Sequence, residues 1–336
     1  MHKKNSFTAP YLAYSSELNS TTATKRSAKT LQPNDHLNLI SKKYPQAWKM
    51  IDGVRKVSHV YEPSWCFTSI ATCKEITSIY QEREGTNVTL GDNEKVAALA
   101  AWRYTQGIYE FEESIHEALT QSDLKSNLPV DIIKKLPEWC VYIKNPEKGL
   151  FKGFFAYLDY DFMSNVTQLY FLLDDGSDLY PLGICLGEWG VNEGISKYFN
   201  NLELLYQLDL NKERCDDLIK DALPLAQYCL MLLLYLCTDE PDIDRIENEL
   251  PVRPSPKRVK RGMRLFPAKK PKYWNVGSQL AKKITLPKEA TGNRHKSPTP
   301  HIRRGHYHGV WVGKRNSSER KFIYNWWPPT VINAVA

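Results

Sequence analysis

Three histidines and two arginines near the end of the chain form its densest group of chemically active side chains. Within the segment 300–309 they are His301, Arg303, Arg304, His306 and His308. A guanidinium binds phosphate oxygens through paired hydrogen bonds, and an imidazole exchanges protons near neutral pH. If His306 and His308 begin a strand, both point to one face of it. We therefore predict that Arg303, Arg304, His306 and His308 contact RNA.

The same segment allows two other interpretations. In the first, His301, His306 and His308 are candidate catalytic residues of a metal-independent ribonuclease, in which one imidazole removes the 2′-hydroxyl proton and another protonates the leaving oxygen. In the second, the arginines and histidines bind the acidic part of the protein and fasten a terminal hairpin to it. No Cys, Asp or Glu lies near enough in sequence to complete a metal site, so we expect no metal and no cofactor.

The charge of the chain is divided between two regions. Residues 251–336 contain 20 Lys and Arg but two acids, a net charge of +18, whereas residues 1–250 carry −11. A cationic segment of this kind binds phosphate-rich polymers by releasing their counterions. The alternative is a solvated basic segment that neutralises the acidic remainder.

Further basic and aromatic residues of this region extend the predicted RNA-binding set. The additional basic candidates are Lys257, Arg258, Lys260, Arg261, Lys314 and Arg315. Aromatic rings that could stack on bases are those of Tyr307, Trp311, Tyr324, Trp326 and Trp327.

The order of the apolar patterns predicts an α+β fold in four parts. Residues 1–33 are a mobile polar arm, 34–248 an acidic α+β body, 249–274 a basic Pro-rich connector and 275–336 a basic C-terminal hairpin region.

Within the body, helical spacing after Asp35, over 65–80, after Asp92 and over 110–119 predicts a helical N-terminal part. Four apolar runs separated by turn residues then predict an antiparallel meander; they span 138–143, 153–158, 167–173 and 179–186. Helices follow near 191–208 and 212–237, and a short helix over 274–284. Strands over 309–312 and 321–327 end the chain.

Cysteine usage favours a cytoplasmic protein. The seven cysteines are scattered without a CxxC pair, which favours buried, reduced thiols. The apolar run 222–237 is shorter than the roughly 20 residues that a bilayer requires. We predict a core helix there and no membrane partner.

Several blocks of the sequence resemble the type V-A anti-CRISPR family that lowers the abundance of its effector nuclease. In chain order they span 102–109, 136–143, 236–243, 250–252, 301–309 and 327–333. The resemblance covers about residues 95–336, and the first 90 residues do not match.

The resemblance implies a mechanism in which the protein recognises the N-terminal segment of the effector as it leaves the ribosome, and the translated message is then destroyed. The implied partners are a nascent N-terminal peptide, mRNA or ribosome, and a host ribonuclease, in the cytoplasm of the host bacterial cell. The target of this chain is then the effector or another protein. The residues that bind the peptide stay unknown. A plasmid or phage DNA-binding protein is a further alternative, although no helix-turn-helix is evident.

Overall fold

The computed structural model describes residues 30–58, 62–122, 130–146, 151–206, 212–260, 262–284, 301–303, 305–315, 317, 320–327 and 330–332. Its helices are α1 Pro33–Lys43, α2 Ala47–Ser58, α3 Ile70–Glu84, α4 Asp92–Trp102, α5 Glu113–Thr120, α6 Val130–Ile133, α7 Val191–Tyr206, α8 Lys212–Leu236 and α9 Ser278–Ile284. Its strands are β1 Gly107–Phe111, β2 Cys140–Lys144, β3 Gly153–Asp161, β4 Val166–Asp174, β5 Leu179–Leu186, β6 Lys257–Val259, β7 Gly262–Arg264, β8 Lys272–Val276, β9 His301–Arg303, β10 His306–Val312, β11 Lys321–Trp327 and β12 Thr330–Ile332. The predicted α+β class is confirmed.

A six-stranded mixed sheet forms the centre of the molecule, in the order β5-β4-β3-β2-β1-β8. Strands β2 to β5 are the predicted antiparallel meander, which is confirmed. Strand β1 runs parallel to both β2 and β8. Mixed pairing of this kind cannot be predicted from local patterns, because the two strands that flank β1 come from distant parts of the chain.

Helix α4 is buried along its whole length and packs against β2, β3, β4 and β5. The indole of Trp102 at its end lies 5.3 Å from the ring of Phe155 in β3. The neighbouring helix α3 is capped at its start by Ser69, whose hydroxyl accepts a hydrogen bond from the backbone N–H of Thr72. Gly85, in the left-handed conformation, caps its end. These helices cover the apolar face of the meander.

Two predicted elements differ in the structure. Glu110 was expected to begin a helix, but it lies in strand β1, and the helix begins at Glu113. Trp274 was expected in a short helix, but it lies in β8, where it is 1% exposed. In both places a buried strand pairing overrides the local helical spacing.

The basic stretch predicted as a connector, 249–274, ends inside the sheet. Lys272, Tyr273 and Trp274 pair with Gly107, Ile108 and Tyr109 of β1. Residues 1–29 of the predicted arm lie outside the described residues. At the end of that arm, the N–H of Leu31 donates to the carbonyl of Gly176 at 2.8 Å, so the chain is attached to the body before α1 begins.

The long helix α8 contains the stretch Cys215–Leu236, which is long and apolar enough to cross a membrane by length and composition. Of the most apolar 18 residues in this stretch, 61% are buried inside the protein. This burial is typical of a core helix. Cys229 and Cys237 are buried at this helix, and none of the seven cysteines, all of which the structure describes, forms a disulfide.

Candidate nucleic-acid interface

The C-terminal hairpin is formed by β10 and β11, as the sequence predicted. The strands pair antiparallel from His306 with Trp327 to Val312 with Lys321. Because side chains alternate along a strand, His306, His308 and Trp327 share one face and Tyr307 and Trp326 share the other. The prediction that His306 and His308 point to one face is confirmed.

The inner face of the hairpin is anchored on α8. The hydroxyl of Tyr307 donates to the carbonyl oxygen of Met231, and the indole N–H of Trp326 donates to the hydroxyl of Ser122 at 3.2 Å. The ring of Trp326 also meets that of Tyr235 at 5.6 Å. Tyr307 and Trp326 are therefore structural anchors rather than the base-stacking rings that the sequence suggested.

Two glycines make this packing possible. A Cβ atom on Gly305 would lie 2.8 Å from the ring of Trp326, and one on Gly309 would lie 2.4 Å from the ring of Phe322. Heavy atoms that are not bonded do not approach this closely. The glycines of the His-Ile-Arg-Arg-Gly-His-Tyr-His-Gly segment thus allow two aromatic rings to cross the backbone.

The outer face of the hairpin has three rings in contact. The ring of His306 lies 6.2 Å from that of Trp327, with a 31° angle between their planes, and His308 lies 5.8 Å from Trp327. Trp327 is 56% exposed, and His308 is also exposed. An exposed indole next to two imidazoles offers a stacking surface with hydrogen-bonding edges.

A second aromatic group lies near the tip of the hairpin. The guanidinium of Arg320 lies 4.9 Å from the ring centre of Trp311, which is 58% exposed. Lys314 and Arg315 follow in the turn and are exposed to solvent. Trp311 therefore lies with cationic side chains at this end of the hairpin, on the same side of β10 as Tyr307. Surfaces that bind single strands combine aromatic rings and cations in this way.

A second basic hairpin is formed by β6 and β7. Lys257 and Arg258 in β6 and Lys260 in the turn are exposed, whereas Arg261 lies outside the described residues. In the described part of the chain, no hydrogen bond or ion pair joins these three side chains to the C-terminal hairpin. The role of these three residues in RNA binding stays a prediction.

Other candidates can be located only in part. His301 and Arg303 lie in β9, which pairs with β12, but their side chains are outside the described part of the structure, as is the whole of Arg304. Whether these three residues belong to the outer face stays a prediction. Among the residues that the structure describes, no three His, Cys, Asp or Glu side chains come together as a metal ion would require.

The acidic body contains buried carboxyl groups that the sequence did not reveal. Burial raises the pKa of Glu138 to about 8 and the pKa of Asp159 to about 7. A Cβ atom on Gly107 would lie 2.2 Å from a carboxylate oxygen of Glu138, so the glycine makes room for this side chain. These groups lie in the core of the body and not in the C-terminal hairpin.

A pocket on the sheet was also missed by sequence reasoning. It has a volume of about 280 Å³ and is lined by Thr30, Leu31, Gln32, Pro33, Ile108, Tyr142, Lys144, Asn145, Pro146, Lys152 and Tyr273. The pocket forms where β1 pairs in parallel with β2 and β8, and the sequence carries no local signal for that pairing.

The fold and this surface define an acidic α+β protein that carries a basic, aromatic hairpin on its longest helix. The family model AcrVA2-like, described as the anti-CRISPR type V subtype A2 family, matches residues 109–334, and the chain belongs to that family. The resemblance drawn from the sequence is thereby confirmed.

Two relatives extend this comparison. Protein FinQ of Escherichia coli is 23% identical over 259 residues, which cover 69% of this chain and 74% of FinQ. A solved structure, described as the crystal structure of AcrVA2, matches with a TM-score of 0.59 and 23% identity, over 89% of this chain and 98% of that one. At this identity the structural match shows a common fold.

Proposed function

We propose that this protein recognises a nascent target polypeptide and triggers degradation of its mRNA, and that the C-terminal hairpin holds the protein on RNA or the ribosome. Membership of the anti-CRISPR type V subtype A2 family supports the first part. The target is the N-terminal segment of a type V-A effector or of another protein.

One observation carries the RNA contact: the exposed face of the hairpin presents His308 and Trp327 to solvent while Tyr307 and Trp326 hold its other face on α8. A rigid platform loses little conformational freedom when a base stacks on it. Lys314 and Arg315 at the tip add charge that attracts phosphates.

The arrangement favours single-stranded RNA over a duplex. Unpaired bases can stack on an exposed indole, whereas the bases of a duplex already stack on one another. The β6–β7 hairpin and the β10–β11 hairpin both carry arginine and lysine. They would contact the backbone of one extended RNA strand at two different places.

The test is direct binding of a labelled single-stranded RNA to the purified protein. Trp327→Ala should weaken binding about tenfold, because stacking contributes about 1 to 3 kcal/mol per base. Lys42→Ala and Lys74→Ala, at exposed lysines of the acidic body, are controls that should bind normally. Equal affinity of Trp327→Ala and the parent chain would contradict the proposal.

A second candidate function, a ribonuclease, is favoured by one distance. The rings of His306 and His308 are 6.3 Å apart on the same face, which leaves room for a phosphodiester between a general base and a general acid. Incubation of the pure protein with labelled RNA separates the two candidates. Cleavage that disappears in His306→Ala would support the ribonuclease, whereas intact RNA would support recruitment of a host nuclease.

A further inference from the structure

The pocket on the sheet has a floor made by one row of side chains across three strands. Ile108 in β1 is paired with Tyr142 in β2 and with Tyr273 in β8. Ile108 and Tyr142 are buried beneath it, but Tyr273 is 53% exposed. An apolar and aromatic floor therefore stays open to a ligand at the end of an otherwise covered sheet.

The Tyr142 side chain on this floor is held in place by a buried hydrogen-bond network. Its hydroxyl donates to one carboxylate oxygen of Asp174 at 2.9 Å. The other oxygen of Asp174 lies 3.1 Å from the ring nitrogen of His36 and accepts from the N–H of Gly176 at 2.8 Å. The floor is thus preorganised, which lowers the entropic cost of binding.

A buried acceptor at the edge of the pocket lacks a partner. Asn145 is 5% exposed, and its amide nitrogen donates to the carbonyl of Phe151 at 3.1 Å. Its side-chain oxygen, however, has no hydrogen-bond partner among the described residues. A buried acceptor without a hydrogen-bond partner raises the free energy of the folded protein. A ligand that brings an N–H donor would therefore be favoured.

Two lysines give the pocket a positive rim within an acidic body. Lys152 is exposed, and Lys144 forms an exposed ion pair with Glu110 at 2.7 Å. Residues 1–250 carry a net charge of −11, which repels polyphosphates at a distance. A single carboxylate can still pair with the lysines at close range.

We infer that this pocket binds a short extended stretch of polypeptide that carries an acidic side chain next to an apolar one. A peptide supplies all three complementary groups: a backbone N–H for Asn145, a carboxylate for Lys152 and an apolar side chain for the floor at Tyr142 and Tyr273. The inference rests on the proposed recognition of a nascent chain and assigns it a location and a chemistry.

The experiment is a selection of random short peptides, displayed on phage, against the purified full chain without RNA or ribosomes. Enriched peptides are expected to combine Asp or Glu with an adjacent aromatic or aliphatic residue. In anisotropy titrations, Lys152→Glu should bind an enriched peptide about fivefold more weakly or worse, since charge reversal replaces attraction by repulsion. Tyr273→Ala should also bind more weakly.

The matched control is Lys74→Glu, at an exposed lysine of α3 that does not line the pocket; it should bind like the parent chain. Failure to enrich any peptide, enrichment without acidic residues, equal binding by Lys152→Glu, or displacement of the peptide by a mononucleotide would each overturn the inference. If peptides bind the pocket but a message encoding the selected sequence keeps its normal lifetime in cells, the proposed function is wrong and the pocket stands.

Discussion

Trp326 and Trp327 are neighbours in strand β11, yet Trp326 is 7% exposed and Trp327 is 56% exposed. The first packs against Tyr235 and donates to Ser122, whereas the second meets His306 on the outer face. Trp326 therefore attaches the hairpin to the body, whereas Trp327 forms part of its exposed surface.

This relationship gives a prediction about stability. Trp326→Ala should lower the free energy of unfolding by about 3 to 5 kcal/mol, because a large buried ring leaves a cavity. Trp327→Ala should change the same quantity by less than about 0.5 kcal/mol, as is usual at an exposed position. Urea denaturation followed by tryptophan fluorescence measures both; similar losses in the two variants would show that the outer face is packed as well.

Truncations test how far the basic region belongs to the fold. If the acidic body predicted over 34–248 were an independent unit, removal of 251–336 would leave it foldable. The structure predicts the opposite, because Trp274 and Val276 of β8 are buried in the core next to β1. A chain that ends at residue 250 should aggregate, whereas one that ends at residue 284 keeps β8 and should stay monodisperse with a lower melting temperature. Size-exclusion chromatography and thermal unfolding distinguish them, and a soluble, cooperative 1–250 chain would contradict the role of β8.

RNA affinity should depend strongly on salt. For single strands, the logarithm of the binding constant falls with the logarithm of salt concentration by about 0.7 per neutralised phosphate. Replacing Lys314 and Arg315 by alanine should reduce the magnitude of this slope by about 1.4. The double variant Lys42→Ala/Lys74→Ala is the control for loss of charge alone. An unchanged slope in the tip variant would mean that the tip of the hairpin does not touch the backbone.

Duplex DNA in the same salt series tests the remaining alternative. The exposed rings of Trp311 and Trp327 favour unpaired bases, so single-stranded RNA should bind more tightly than duplex DNA at every salt concentration. Tighter binding of the duplex would favour the DNA-binding hypothesis.

The buried carboxyl of Glu138 should make stability depend on pH. Its pKa is raised by burial to about 8 in the folded protein, whereas an unfolded glutamate has a pKa of about 4.3. Between these two pKa values, Glu138 is ionised in the unfolded chain and protonated in the folded chain. The free energy of unfolding therefore falls as pH rises, and this group contributes at most about 1.4 kcal/mol per pH unit. Below the lower pKa both states are protonated and the effect disappears.

Glu138→Gln isolates this contribution. The variant should be more stable than the parent chain at pH 8 and similar to it near pH 4.5. Because Glu94 and Asp159 are also buried, with pKa values raised to about 7, part of the pH dependence should remain in the variant. Denaturant titrations over this range measure the difference, and parallel curves for the two proteins would contradict the assignment.

The parts of the fold that could be predicted from sequence are those with local patterns. Alternation and turn residues identified the meander from Cys140 to Leu186, and an apolar run identified α8. Strand β8 could not be predicted, because Lys272–Val276 is short, basic at its start and paired with a strand more than 150 residues earlier. Its partner β1 was misassigned for the same reason, since a parallel pair has no connecting turn to reveal it.

The candidate site was predictable in composition but not in orientation. The sequence predicted that His306 and His308 share a face, since side chains alternate along a strand. It could not tell that the face with Tyr307 and Trp326 is the covered one, because that depends on where α8 packs. The pocket at Tyr142 and Asn145 left no signal, as its walls come from five separate segments of the chain.

The most direct test of the central claim is sedimentation of the purified protein with bacterial ribosomes and with total RNA at low salt. The parent chain should sediment with one or both, and the triple variant Lys314→Ala/Arg315→Ala/Trp327→Ala should stay in the supernatant while it unfolds at an unchanged temperature. A parent chain that stays in the supernatant, or a triple variant that sediments equally well, would contradict the claim that the basic hairpin contacts RNA or the ribosome.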